Sequence, residues 1–168
     1  LEYHLLSINI KKEIKDFKGI AASLNNIGVI YNEQGNYKKA QEYFFQSLKL
    51  KEEFGNKKDC ASAWNNIGLI YVNQKNSSKA LECFSNALEI CQKMEDKKVM
   101  ADVLANIGTV YWEKGEELKK NLYYQQSLEY FMQSLELREE INDKRGIAIS
   151  LGNIGNVYVA QEKYSKAL

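Results

Sequence analysis

The 168-residue sequence contains no proline, a single histidine and almost no net charge: 23 basic residues against 22 acidic ones leave +1. Without proline, no residue locks φ or deletes a backbone donor inside a helix, so long uninterrupted helices are permitted throughout. The balanced charge supplies no strong field to recruit phosphate backbones or anionic lipid, which argues against nucleic acid and membrane surfaces as partners. No apolar run approaches the roughly 18–20 residues that span a bilayer. The first residues also lack the basic, apolar, small-residue order of a secretory signal. The chain starts at Leu1 and not at Met, which predicts a fragment of a longer polypeptide. Three cysteines, Cys60, Cys83 and Cys91, form an odd set without metal-ligand spacing. They read as buried, reduced small hydrophobes of a reducing compartment, and a cytoplasmic location is expected.

Catalytic signatures are equally scarce. There is no G-x-S-x-G, P-loop, H-E-x-x-H or paired-cysteine site. Acidic pairs such as Glu52-Glu53 and Glu139-Glu140 stand among lysines, as solvated helix faces do. The expectation is a chain that is not an enzyme, with no catalytic residue, no cofactor and no metal site.

What the sequence does contain is repetition. The phrase Asn-Ile-Gly occurs at Asn26-Ile27-Gly28, Asn66-Ile67-Gly68, Asn106-Ile107-Gly108 and Asn153-Ile154-Gly155, at spacings of 40, 40 and 47 residues. Three residues after each glycine stands Tyr31, Tyr71, Tyr111 or Tyr158. A fixed period of this size marks stacked units, none of which can bury its apolar face alone. In the first unit Leu24, Ile27, Gly28 and Tyr31 fall at i, i+3, i+4 and i+7, one face of a helix. Gly35 breaks that stripe, and Tyr37, Ala40, Phe44, Ser47 and Leu48 begin another. Each unit is therefore a helix A (about 18–33 in the first), a tight turn, and a helix B (about 37–53). Gly28 and Ala40 are small where two backbones approach closely. Short polar joints separate the units: Lys15-Asp16-Phe17-Lys18, Gly55-Asn56-Lys57-Lys58, Glu95-Asp96-Lys97-Lys98 and Asn142-Asp143-Lys144-Arg145.

These positions resemble the tetratricopeptide repeat: the large residue, Leu, Gly and Tyr of helix A and the Ala, Phe and Ala of helix B stand at that family's offsets. The match covers essentially the whole chain. It departs from the common form in its period of 40 in place of about 34 and in lacking the proline that often closes helix B. Longer periods of this kind are similar to repeats of kinesin light chains, polarity adaptors and bacterial peptide sensors. The resemblance implies an all-α fold, a right-handed superhelical solenoid of antiparallel helix pairs. The expected division is a single array over 1–168. It comprises helix B of a truncated repeat at 1–14, repeats at 15–54, 55–94 and 95–141, and a partial repeat at 142–168. In the fourth unit, Tyr164 and Ala167 continue the pattern towards Leu168.

The 47-residue step comes from seven extra residues near 116–123. Seven is close to two helical turns, so the insertion preserves the apolar face. Leu118 and Leu122, four apart, favour a helix B that starts early and projects past its partner; a flexible loop is the alternative. His4, where the repeat has Phe, is a packing residue on this pattern. The chain is cut inside helix B at both ends, so end-to-end self-association through uncapped terminal helices is expected.

The resemblance also implies where a partner binds. In this family the concave wall is made of A helices, and the Asn of each Asn-Ile-Gly phrase faces the groove. An amide offers two donors and an acceptor, which suits the alternating N–H and C=O groups of a bound peptide. A peptide-backbone contact is thus implied for Asn26, Asn66, Asn106 and Asn153, with Asn25 and Asn65 as weaker additions. Packing between neighbouring helices is the competing use of the same amides. Asn32, Leu69, Asn73 and Trp112 fall on the same wall, as do apolar Val29, Val72 and Val159. Trp112 is a binding hot spot if exposed and a packing residue if not. The signature of the chaperone-tail class is absent: its five places read Asn25, Val29, Asn66, Asp102 and Asn106, of which one matches. Lys18, Lys58, Lys98 and Arg145 recur at the joints, as a basic rim or as solvated charge. The expected partner is a protein or peptide segment with apolar anchors and some basic residues.

Overall fold

The computed structural model describes residues 1–55 and 57–162. Asn56 of the second joint, and Tyr164, Ala167 and Leu168 of the fourth unit, lie outside the described residues. Among the described residues eight helices follow one another: α1 (Glu2–Glu13), α2 (Phe17–Glu33), α3 (Tyr37–Phe54), α4 (Lys57–Asn73), α5 (Ser77–Met94), α6 (Lys97–Leu118), α7 (Asn121–Glu140) and α8 (Lys144–Ala160). The described residues contain no strand. The chain forms two compact units, Leu1–Ile90 and Cys91–Leu168.

The helix ends explain why the polar joints recur. Asp16, Asp96 and Asp143 each accept a hydrogen bond from the main-chain N–H three residues on, of Gly19, Val99 and Gly146, at 2.9, 3.2 and 3.0 Å. Asn36 and Asn76 do the same for Lys39 and Lys79 within the A–B turns. Such caps satisfy a donor that has no partner inside the helix. The residue before each cap turns the chain with positive φ: Lys15, Glu95 and Asn142 at the joints, Gly35 and Lys75 at the turns. A left-handed residue followed by an Asx cap is thus a two-residue connector. Only at Gly35, φ 72°, does glycine relieve the strain; Lys75 takes φ 58° with a Cβ in place.

Within the first unit, α2 and α3 lie against each other where Gly28 meets the ring of Phe44; a Cβ on Gly28 would stand 3.0 Å from it. Gly68 on α4 meets Phe84 on α5 more closely still. Ser47 on α3 is fully buried and donates its hydroxyl to the Ala21 carbonyl at 2.7 Å. Tyr31 and Tyr43 stack beside this contact, ring centres 5.5 Å apart. The core continues through Leu48, Ala63, Ile67, Ile70 and Cys83. Cys60, Cys83 and Cys91 are all buried and free of disulfides. Burial pushes the Cys83 thiol up to about 11 and raises Cys60 as well, which suppresses thiolate chemistry.

The second unit uses the same devices in a longer hairpin. Gly108 faces Phe131, Ser134 donates to the Ala101 carbonyl at 2.7 Å, and Tyr111 stacks on Tyr130 at 5.5 Å. The seven extra residues do not extend helix B alone, as Leu118 and Leu122 suggested, nor do they form a loop. Helix A runs on through Gly115 to Leu118, and the turn falls at Lys119, φ 49°. Both arms gain close to one turn. Gly115 therefore meets Tyr124 as Gly108 meets Phe131, seven residues forward on one helix and seven back on the other. Leu118 and Leu122 flank the turn and are exposed. The Tyr124 hydroxyl closes the extension by donating to Glu116 at 2.6 Å.

Five variants test these contacts. A Gly68→Ala Cβ would overlap the Phe84 ring, so this variant should lose about 1–3 kcal/mol to overpacking. Gly28→Ala has more room and regains helix propensity of about 1 kcal/mol, so it should unfold near the parent midpoint in urea. Lys75→Gly should stabilise by about 1 kcal/mol by removing the left-handed penalty, and Gly35→Lys should lose a similar amount; thermal melts check both. The Glu116 carboxyl lies below its ordinary 4.5 because it accepts from Tyr124, then from Lys119. Burial, then Glu116, raises Tyr124 to about 12. A lowered carboxylate stabilises above 4.5 and loses that contribution as pH falls; a raised phenol stabilises below 10.0 and loses it as pH rises through 12. Tyr124→Phe should therefore lower the melting temperature most between those two ordinary values and converge on the parent in acid and in strong alkali.

Candidate functional site

Four A helices carry the predicted site residues. In the first unit, α2 presents Asn25, Asn26 and Asn32, and α4 presents Asn65, Asn66, Leu69 and Asn73. The inter-helix pairing differs by one residue from the expected row. Asn66 donates its Nδ2 to Oδ1 of Asn25, not of Asn26, at 3.1 Å. Asn73 likewise donates to Asn32 at 3.1 Å. Both pairs span 41 positions, so the residues that face one another across α2 and α4 stand one repeat plus one residue apart. Each bonded pair uses one donor and one acceptor, leaving further N–H and C=O capacity on both amides. Asn26 is exposed, while Asn65, Leu69 and Val72 are half-buried.

In the second unit, α6 carries half-buried Asn106 and Trp112 and α8 carries Asn153. Trp112 is mainly a packing residue: its ring joins the cluster of Ala105, Tyr124, Phe131 and Val157. Its indole N–H is buried without a hydrogen-bond partner among the described residues. Beside it a cavity of about 90 Å³ is lined by Thr109, Trp112, Phe131, Asn153 and Asn156. Val159, Ile149 and Leu151 leave apolar surface exposed on α8.

A larger cavity, about 210 Å³, opens in the first unit. Its wall includes Ala22, Asn25 and Asn26 of α2, Lys51 at the end of α3, and Lys18 and Asp59 at the helix starts. Burial lowers the Lys51 pKa, against the opposing pull of Asp59 and Cys60. Lys51 escaped notice in the sequence, although a signal was present. Lys11, Lys51 and Arg138 stand 17 residues before Gly28, Gly68 and Gly155, so three units place a cation at one phase. Lys11 donates to the Gly19 carbonyl and the Ser23 hydroxyl at 3.2 and 2.9 Å. Arg138, nearly fully buried, donates to the Gly146 carbonyl at 2.6 Å and pairs with Asp102 at 2.9 Å.

Of the joint cations, Lys18 lines the larger cavity, whereas Lys98 and Arg145 are exposed. No cluster of metal-ligating side chains occurs among the described residues. None of the helices searched there is long and apolar enough to cross a membrane.

Comparison with known proteins places this geometry. Tetratricopeptide repeat family models match residues 21–54 and 61–94, and a second such model matches 123–168. Curated proteins gave no match in sequence. Among solved structures, BtubC (BKLC) from P. vanneervenii aligns over 99% of this chain and 74% of its own, with TM-score 0.73 and 18% identity. Kinesin light chain TPR-like repeats from Podosopora anserina align over 99% and 79%, with TM-score 0.71 and 13% identity. The STAND protein PH0952 of Pyrococcus horikoshii, described as having a tetratricopeptide repeat sensor, aligns over 99% of this chain but only 25% of its own, with TM-score 0.79 and 16% identity. At these identities the likeness concerns the fold. The chain belongs to the tetratricopeptide repeat family.

Proposed function

We propose that the A-helix face of this chain holds an extended segment of a partner protein. Tetratricopeptide repeats mediate protein–protein interactions, and the finer reading rests on the amides of α2 and α4. Asn25 with Asn66, and Asn32 with Asn73, are already fixed by inter-helix hydrogen bonds. Fixed amides with spare donors and acceptors lose little freedom on pairing with a peptide backbone. Asn26 stands exposed next to the first pair, and half-buried Leu69 and Val72 supply apolar contact. The second unit, taken by itself, offers Asn106 and Asn153 on its own A helices, and Trp112 contributes there through the wall of its cavity more than as an exposed anchor. The site is one of binding, not of catalysis.

A structural or self-associating element of a larger signalling protein is the second reading. The amide pairs favour it in so far as they already bridge two helices. On α1 and its C-cap residue, Tyr3, Leu6, Ile10 and Ile14 leave an apolar surface that a second copy could cover.

Asn26→Ala separates the readings, because Asn26 takes no part in the bonded pairs. Peptides selected from a random 12-residue display library against the whole chain serve as the probe. Asn26→Ala should weaken them by roughly 3–10-fold, the equivalent of one hydrogen bond, with an unchanged melting temperature. Asn66→Ala should weaken binding and also lower stability by about 1 kcal/mol. Unchanged affinities in both variants, read by fluorescence anisotropy, would favour the structural reading.

A further inference from the structure

The two units offer the same site in two states. In the second, Arg138 stands seven residues after Phe131 on helix B, and its guanidinium meets the carboxylate of Asp102, six residues before Gly108 on helix A. In the first unit the corresponding residues are Lys51, seven after Phe44, and Ala22, six before Gly28. The cation is kept and the carboxylate is gone. Where Arg138 has Asp102, the environment of Lys51 contains the 210 Å³ cavity, with Ala22 on its wall.

We infer that this cavity receives a carboxylate of the bound partner segment, seated against Lys51 in the way that Asp102 is seated against Arg138. The inference rests on the reading of the A-helix face as a peptide-binding surface. Its volume is below the roughly 300–1,000 Å³ of small-molecule sites, a size for one side chain or one chain terminus. Two ammonium groups, of Lys18 and Lys51, outweigh the single carboxylate of Asp59 on the lining. Asn25 and Asn26 add amide N–H donors to the lining, from which a carboxylate oxygen can accept. The Lys51 ammonium makes no hydrogen bond among the described residues, and burial lowers its pKa against the opposing pull of Asp59. The cavity therefore selects an acidic group within a segment otherwise held through its backbone. This modifies the expected ligand: one acidic position is recognised where α2, α3 and α4 meet.

Chemical shift titration of the whole 15N-labelled chain tests the inference with three small probes. A blocked alanine–glutamate–alanine tripeptide carries only a side-chain carboxylate. Acetylated trialanine with a free terminus carries only a main-chain one. A blocked alanine–glutamine–alanine tripeptide is the neutral control. Saturable shifts at Ala21, Ala22, Asn25 and Asn26 with one or both acids, and at least fivefold smaller shifts with the control, are expected; the stronger acid identifies the source. Lys51→Met should abolish the response with the helical spectrum preserved. Ala22→Asp, which installs the carboxylate found in the other unit, should also abolish it and raise the Lys51 ammonium pKa. Equal responses to acid and control, or a response that survives both substitutions, would overturn the inference. Display-selected peptides that still bind while both acids fail would leave the groove intact and refute only the carboxylate site. Acids that bind while no peptide can be selected would refute the groove instead.

Discussion

The contact between a glycine on helix A and an aromatic ring on helix B sets the distance on which the other contacts depend. It occurs as Gly28 with Phe44, Gly68 with Phe84, Gly108 with Phe131 and, in the extension, Gly115 with Tyr124. With no Cβ in the way, the ring lies directly on the helix backbone, and the pair is drawn close. That closeness lets the Ser47 and Ser134 hydroxyls reach main-chain carbonyls of helix A, and it places Tyr31 on Tyr43 and Tyr111 on Tyr130. A buried hydroxyl without such an acceptor would be costly. The serines therefore depend on the glycines.

The parts of the fold legible in the sequence are those carried by position along one helix. Periodicity located the A and B stripes, and Gly35 marked their division. Other features depend on how two helices meet, which spacing alone does not encode. A helix B that starts early implies a turn near Gly115, which resembles the turn glycine of the first unit, whereas Gly115 packs inside α6 against Tyr124 and the turn falls at Lys119. Asn66 reaches Asn25 because the relative offset of α2 and α4 decides which amides face, and a matched row of identical residues implies no such offset. Lys51 was overlooked because a lysine near a helix end normally reads as solvated charge; its significance lies in the missing partner at Ala22.

The two units also show how a helix face varies on a constant scaffold. The positions that touch the glycine contact scarcely change. The positions beyond it exchange freely: Asp102 for Ala22, Arg138 for Lys51, Thr109 for Val29. Substitution at these places alters charge and cavity shape without disturbing the pairs that hold the helices. Charge and cavity shape can therefore differ from unit to unit while stability is supplied elsewhere.

The longer hairpin of α6 and α7 has a consequence for how such chains change length. An insertion into a helical hairpin divides between its two arms, and each arm must gain close to a whole turn to return its apolar stripe to the same side. Lengths are thereby quantised: seven residues give one added rung on the hairpin, here Gly115 on Tyr124, whereas three or four would lengthen one arm by a turn and leave it without a matching turn on the other. Viable insertions and deletions at this turn should come in heptads, so that a unit grows taller by whole storeys.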